Sequence, residues 1–252
     1  GPFVFLDHLG PLILSQEKKA GTGAHPHRGI ATLTYLINGQ SEHFDSAGNH
    51  AIVRSGGIQW MKAGNGIIHD ETANPDTETG NPYVHGFQFW INLPSQIKAE
   101  QPAYMAIQAN EVPSQILAEN NGWIKVVLGA YEKLKSKIPN YTDQFLYHLH
   151  LNANQKFSIS FSDKTEVAAF LPTQHATLND TEFEAGELVE FDRKSGEIVI
   201  TNTSQEAIDI LLFGGEHYTE PIIAQGPFVM NTMHEITQAY NDFYSGKYGE
   251  IK

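Results

Sequence analysis

The chain contains no cysteine among its 252 residues. That absence excludes disulfides, thiolate metal sites and cysteine nucleophiles together. Basic residues are also scarce: 16 Lys+Arg stand against 29 Asp+Glu, for a formal net charge of −13. A field of that sign repels phosphate backbones, so no direct nucleic-acid partner is expected. Any role near DNA would run through a protein partner. No run of about eighteen apolar residues occurs, so no membrane-spanning helix is expected. The opening stretch GPFVFLDHLG shows neither a basic n-region nor a long apolar h-region, so no secretory signal is visible in it. The cytoplasm is the expected compartment.

What is present reads as an ordinary globular protein, 40% hydrophobic and 18% charged, long enough for one large or two modest domains. Residues 30–130 read as short strands separated by turn signals, the pattern of a β-sandwich or barrel. Asn38-Gly39, between Thr32–Ile37 and Gln40–Asp45, predicts a two-residue hairpin. Ala47-Gly48-Asn49, Gly56-Gly57 and Gly64-Asn65-Gly66 supply further turns. A charged stretch broken by Pro139 marks a boundary, which predicts an N-terminal domain over 1–135 and a C-terminal domain over 136–252. Strand patterns resume after it, in "FLYHLHL", "KFSISF", "EIVITN" and "IDILLFGGE", as in a duplicated barrel. The tail differs. Thr232 and Glu235 have capping-box spacing, and Ile236, Ala239, Tyr240, Phe243 and Tyr244 recur at helical spacing before Gly246. One amphipathic helix, packed on a barrel, is expected there.

Seven of the twelve histidines lie in the first 85 residues, which directs the search for chemistry. Alternate side chains of a strand share a face, so His25 and His27 in "HPHRGI" point the same way. Pro26 helps by holding the residue before it extended. "GNGIIHDE" repeats the arrangement with His69 and Glu71, and Gly64 and Gly66 allow that strand to reverse towards His27. Paired across a barrel, the two strands would converge three imidazoles and a carboxylate on one divalent ion. Such a sulfur-free set suits Fe(II), Mn, Co, Ni, Cu(II) or Zn and disfavours Cu(I). Two open positions would remain on an octahedral ion.

"HPHRGIATLTYLINGQSEHFDSAGN", "GGIQWMKAGNGIIHDE", "HGFQFWINLP" and "EPIIAQGPFVMNTMHEI" together resemble the signature stretches of the pirin family, bicupins of the cupin superfamily. The likeness runs from near residue 3 to near residue 245. It implies an all-β fold of two cupin (jelly-roll) barrels packed face to face, with a short C-terminal helix. Metal would be held only in the first barrel, most often Fe(II), by His25, His27, His69 and Glu71. It also implies quercetin 2,3-dioxygenase-type activity, in which O₂ opens the central ring of a flavonol, with Glu71 as the base that removes the hydroxyl proton. The competing function class is a metal- or redox-sensing regulator that modulates a protein partner without turnover, as described for members of this family. One departure stands out. Where cupins carry a glutamate shortly after the second histidine, and many pirins read G-F-E-T, this chain reads Gly29-Ile30-Ala31-Thr32, with Ala31 at the acid's place.

Other residues have blander readings. His148 and His150 mimic the first pair without a following H-x-E, and a half-exposed pair on a strand face is expected. His43 and Asp45 share a face and either orient ligands or form a polar hairpin. His85 is expected to cap a strand. Gln59, Trp60 and Met61, with Phe87 and Phe89, read as barrel core before cavity lining. A monomer is expected, since a bicupin pairs its barrels internally.

Overall fold

The computed structural model describes residues 2–14 and 20–251. By their contacts they fall into two compact units: Phe3–Glu111 joined by the tail from Thr219, and a second unit built on 112–218. The charged stretch broken by Pro139 predicts a division at 135/136. The contacts divide it at 111/112 and again at 218/219, because the tail groups with the first barrel.

Ten strands build the first barrel: β1 (Phe3–Ile13), β2 (Ala20–Gly21), β3 (His25–His27), β4 (Ile30–Asn38), β5 (Gln40–Asp45), β6 (His50–Arg54), β7 (Ile58–Lys62), β8 (Ile67–Asn74), β9 (Tyr83–Asn92) and β10 (Ala103–Ile107). One sheet runs β1-β9-β4-β7-β10, and the other runs β2-β8-β5-β6 with β3 paired to β8. The chain therefore changes sheet between β4 and β5, where the Asn-Gly signal predicts a hairpin. The two strands do not pair, and Asn38-Gly39 is a corner. Gly39 sits at φ +101°, and a Cβ there would lie 2.7 Å from the Asn74 carbonyl oxygen, so glycine is required by the crossing itself. Ala47-Gly48-Asn49 does close a hairpin, β5 on β6. Asp45 Oδ1 fixes it by accepting from the Ala47 and Asn49 N–H groups at 3.0 and 2.9 Å.

The tail covers one end of this barrel. The strand Phe228–Met230 and helix α2 (Met233–Tyr244), which follows the short α1 (Ser95–Lys98), bury Phe228, Met230, Ile236 and Ala239 together. The expected cap is present: Thr232 Oγ1 accepts from the Glu235 N–H at 3.2 Å. The expected apolar face is altered at two positions. Tyr244 is exposed and Asp242 is buried, because Asp242 accepts from Arg28 at 2.7 Å and also pairs with Lys247.

In the second unit, a six-stranded sheet centred on Gln144–Leu151 and Ile208–Glu216 accompanies a four-stranded one centred on Gly196–Thr201. Its core is apolar, with Ile124, Leu149, Ala169, Ile200 and Leu212 all at or below 1% exposure.

Candidate metal centre

Register builds the site in the first barrel. In one sheet His25 stands opposite His69, which stands opposite Asp45, while Glu71 stands opposite His43. In the other, Gln88 aligns with Thr34 and Gln59, and Trp90 aligns with Thr32 and Met61. Strand alternation turns both rows inward, so the interior of this barrel carries a row of polar side chains where the core of the second unit is apolar. Thr34 and Gln88 reach Glu71 from across the barrel, and His43 stacks on Tyr104 at 4.2 Å between ring centroids.

The structure brings three of the four expected residues together. Nε2 of His25 lies 3.1 Å from Nε2 of His27 and 3.0 Å from Nε2 of His69. The outer nitrogens fix two tautomers. Nδ1 of His25 is 2.7 Å from the Gly23 carbonyl oxygen, and Nδ1 of His27 is 3.1 Å from that of Pro227. A carbonyl oxygen only accepts, so both Nδ1 atoms carry the proton and both Nε2 atoms present lone pairs to each other. Facing lone pairs repel unless a cation lies between them. Ligands at right angles around an ion with bonds of about 2.1 Å are about 3.0 Å apart, which is the spacing found. Burial and the neighbouring imidazoles lower the pKa of His27 to about 4 and that of His69 well below its ordinary value. His27 and His69 are thus neutral at pH 7, as metal ligands must be.

Glu71 stands apart from this trio. Its Oε1 is 4.0 Å from Nδ1 of His69, the ring's other nitrogen, and 3.7 Å from Nδ1 of His43. Its Oε2 accepts from Gln88 Nε2 at 2.5 Å. His43 is fully buried, with Nε2 3.1 Å from Asp45 Oδ2. Burial pulls its pKa down, but hydrogen bonds and charge from Asp45 and Glu71 outweigh that and raise it. Both readings of His43 and Asp45 apply: Asp45 Oδ1 holds the β5–β6 hairpin, while its Oδ2 faces His43, which lies beside Glu71. His43 and Glu71 also group with His69 closely enough to bind a cation at its second nitrogen.

The family model described as Pirin matches residues 1–91, and that described as Pirin C-terminal cupin domain matches 146–249. Pirin-1 of Arabidopsis thaliana is 32% identical over 250 residues, 96% of this chain and 84% of that protein. A pirin-like protein of Caulobacter vibrioides is 32% identical over 251 residues, 98% and 87% of the two chains. The chain belongs to the pirin family. A crystal structure of quercetin 2,3-dioxygenase from Acinetobacter baumannii superposes with a TM-score of 0.92 at 32% identity, over 100% of this chain and 87% of that one. The bacterial pirin YhhW from Escherichia coli, solved with nickel(II), shares the fold at a TM-score of 0.61 and 23% identity, over 79% and 78% of the chains. The chain is thus a pirin-type bicupin.

Within this pirin the missing acid at Ala31 takes nothing from the site. Thr34 reaches Glu71, so strand alternation places Thr32 on the inner face and Ala31 on the other, where it is 1% exposed. Residues 32 and 34 are the places where an acid on β4 would face inward. Gln59 does line the interior, accepting from the Tyr104 hydroxyl at 2.9 Å. Trp60, Phe87 and Phe89 lie in the other register and are buried. The same alternation that marks Phe87 and Phe89 as core marks Gln88 and Trp90 as inward, a signal the sequence reading left unused.

The remaining histidines differ from expectation in detail. His148 is buried, not half-exposed, and it shares Asp209 Oδ1 with His150 at 2.9 and 2.8 Å. Trp123 stacks on His150. His85 lies inside β9 and does not cap it; its Nε2 is 2.9 Å from that of His8.

Proposed function

We propose that this protein is a metal-dependent dioxygenase of the quercetin 2,3-dioxygenase type, with a divalent ion, Fe(II) foremost, held by His25, His27 and His69. The observation that carries the reading is the convergence of three imidazoles, those of His27 and His69 buried, with two tautomers fixed so that lone pairs face inward. An ion held there supplies Lewis acidity towards a hydroxyl and neighbouring carbonyl, and the redox chemistry that ring opening by O₂ requires. The chain's own residues do the rest. Glu71, beside the trio, is the expected fourth ligand and the expected base, the carboxylate that would take a hydroxyl proton from a flavonol-like substrate. Trp90, whose ring lies 4.9 Å from that of His27, gives the interior an aromatic wall. The name of the Acinetobacter baumannii neighbour, quercetin 2,3-dioxygenase, supports the substrate class.

The test is elemental analysis of protein purified without an affinity metal, followed by oxygen uptake with quercetin. One ion per chain and uptake abolished in His27→Ala and His69→Ala are expected. Fully loaded protein that consumes no oxygen with any flavonol would refute the enzyme and favour the sensing regulator. The same reading places the protein in the cytoplasm as a monomer. Among the described residues no helix is long and apolar enough to cross a membrane.

A further inference from the structure

Phe5 turns its ring into the first barrel and yet leaves 45% of its surface open to solvent. In the β1–β9 register it stands opposite Trp90, and side chains directly opposite on paired strands share a face. Trp90 belongs to the inward row of β9, so Phe5 is inward as well. Topology explains the exposure. The two sheets meet where β6 contacts β10. On the other side they end in β1, which pairs with β9, and in β2 and β3, which pair with β8; among the described strands no ladder joins these edges. That side is the opening of the barrel. Phe5 stands on one lip, and β3, with His25 and His27, forms the other.

Trp90 connects the lips. Its ring lies 4.8 Å from that of Phe5, tilted at 39°, and 4.9 Å from that of His27, at 74°. Its indole N–H donates to Gln88 Oε1 at 3.2 Å, which fixes how the ring is turned. His27, Trp90 and Phe5 thus form a ladder of rings from the imidazole cluster to the edge of the barrel. Single exposed apolar side chains are ordinary on a protein surface. This one differs by facing the opening beside the imidazoles.

A flavonol has two kinds of part: a central ring whose hydroxyl and carbonyl oxygens chelate, and aromatic rings that flank it. We propose that Phe5 is a specificity-determining residue: with Trp90 it forms a ledge for a flanking aromatic ring, while the chelating oxygens go to the ion site. The inference deepens the functional reading above and rests on it. Aromatic rings pack offset or edge-on with centroids about 4.5–7 Å apart. That spacing is already present along the ladder, and a substrate ring continues it at Phe5. Covering Phe5 also removes apolar surface from water. A ligand that has only the chelating ring gains neither. The site therefore selects aryl-bearing hydroxypyranones over the bare ring.

The test reads binding, not turnover. Zn(II)-loaded protein is titrated anaerobically with quercetin and, separately, with maltol, a hydroxypyranone that carries the chelating ring without its aromatic flanks. Ligand absorbance and tryptophan quenching report each Kd. Phe5→Ser should raise the quercetin Kd about tenfold, the order that loss of one aromatic contact and its buried area produces, and leave the maltol Kd within about twofold. Phe5→Tyr, which keeps the ring, should restore quercetin binding to within about threefold of wild type. A quercetin Kd that moves by about twofold or less in Phe5→Ser would overturn the proposal. So would equal weakening of both ligands, the mark of a distorted ion site. Should Phe5→Ser fail to fold, Phe5→Leu decides: it keeps apolar bulk without a ring, and quercetin binding equal to wild type would refute the ledge. Wild type that binds neither ligand in a zinc-dependent way would instead defeat the metal-binding reading itself, a separate result.

Discussion

Replacing Lys98 by Met removes a buried charge while keeping most of the side chain's volume. Lys98 is 2% exposed, and its Nζ donates to Asn92 Oδ1 and to the Val229 carbonyl oxygen, both at 2.7 Å. Burial lowers its pKa from 10.5 to about 8, and Glu235 and Glu220 offset only part of that. Because the folded value lies below the unfolded one, the unfolded chain binds more protons between the two, and stability rises with pH across that window. The shift corresponds to about 3 kcal/mol that the ammonium costs at neutral pH and that is relieved as pH climbs through 8 towards 10.5. Against it stand the two hydrogen bonds, each of about 1 kcal/mol net. The difference in unfolding free energy between wild type and Lys98→Met therefore moves by about 2 to 3 kcal/mol in favour of wild type from pH 7 to pH 10. Urea unfolding followed by tryptophan fluorescence on both proteins measures it, and the subtraction cancels every other titrating group. A difference constant within about 0.5 kcal/mol over that range would refute the argument.

Three further outcomes follow from particular contacts. Gly29→Ala should destabilise by about 3 kcal/mol or more, since φ is +82° and the new Cβ would sit 1.9 Å from the Val229 carbonyl oxygen; a urea midpoint equal to wild type would sink this. Thr232→Ala should cost about 1 kcal/mol through loss of the α2 cap, read as a lowered midpoint that Thr232→Ser restores. Stripping the divalent ion with a chelator should lower thermal stability by about 3 kcal/mol relative to protein at a hundredfold excess of metal over Kd. In His69→Ala the chelator should change nothing, and an equal drop there would assign the effect elsewhere.

Much of this arrangement was legible in the chain. The spacing of His25, His27, His69 and Glu71 follows from strand alternation, and the register of β3, β8 and β5 delivers them to one interior. The cap at Thr232 and the strand Ile58–Lys62 are where local pattern places them. Asn38-Gly39 misleads because a positive-φ glycine serves a corner as well as a hairpin, and only pairing partners distant in sequence tell the two apart. The roles of Gln88, Thr34 and His43 depend on which strands oppose each other across the barrel, a long-range fact with no local signature. Lys98 and Asp242 would be read as solvated charges on composition alone. Their burial is set by Val229 and Arg28, 131 and 214 residues away.

The hydrogen bond between His27 and the carbonyl of Pro227 spans 200 positions of the chain. During synthesis at about 5 to 20 residues per second, the second of these residues is made some 10 to 40 s after the first. Through that interval the leading barrel exists without its closing segment, its second imidazole free to turn. On the proposed function, a ribosome-bound intermediate halted before residue 219 should therefore bind the ion far more weakly than released protein.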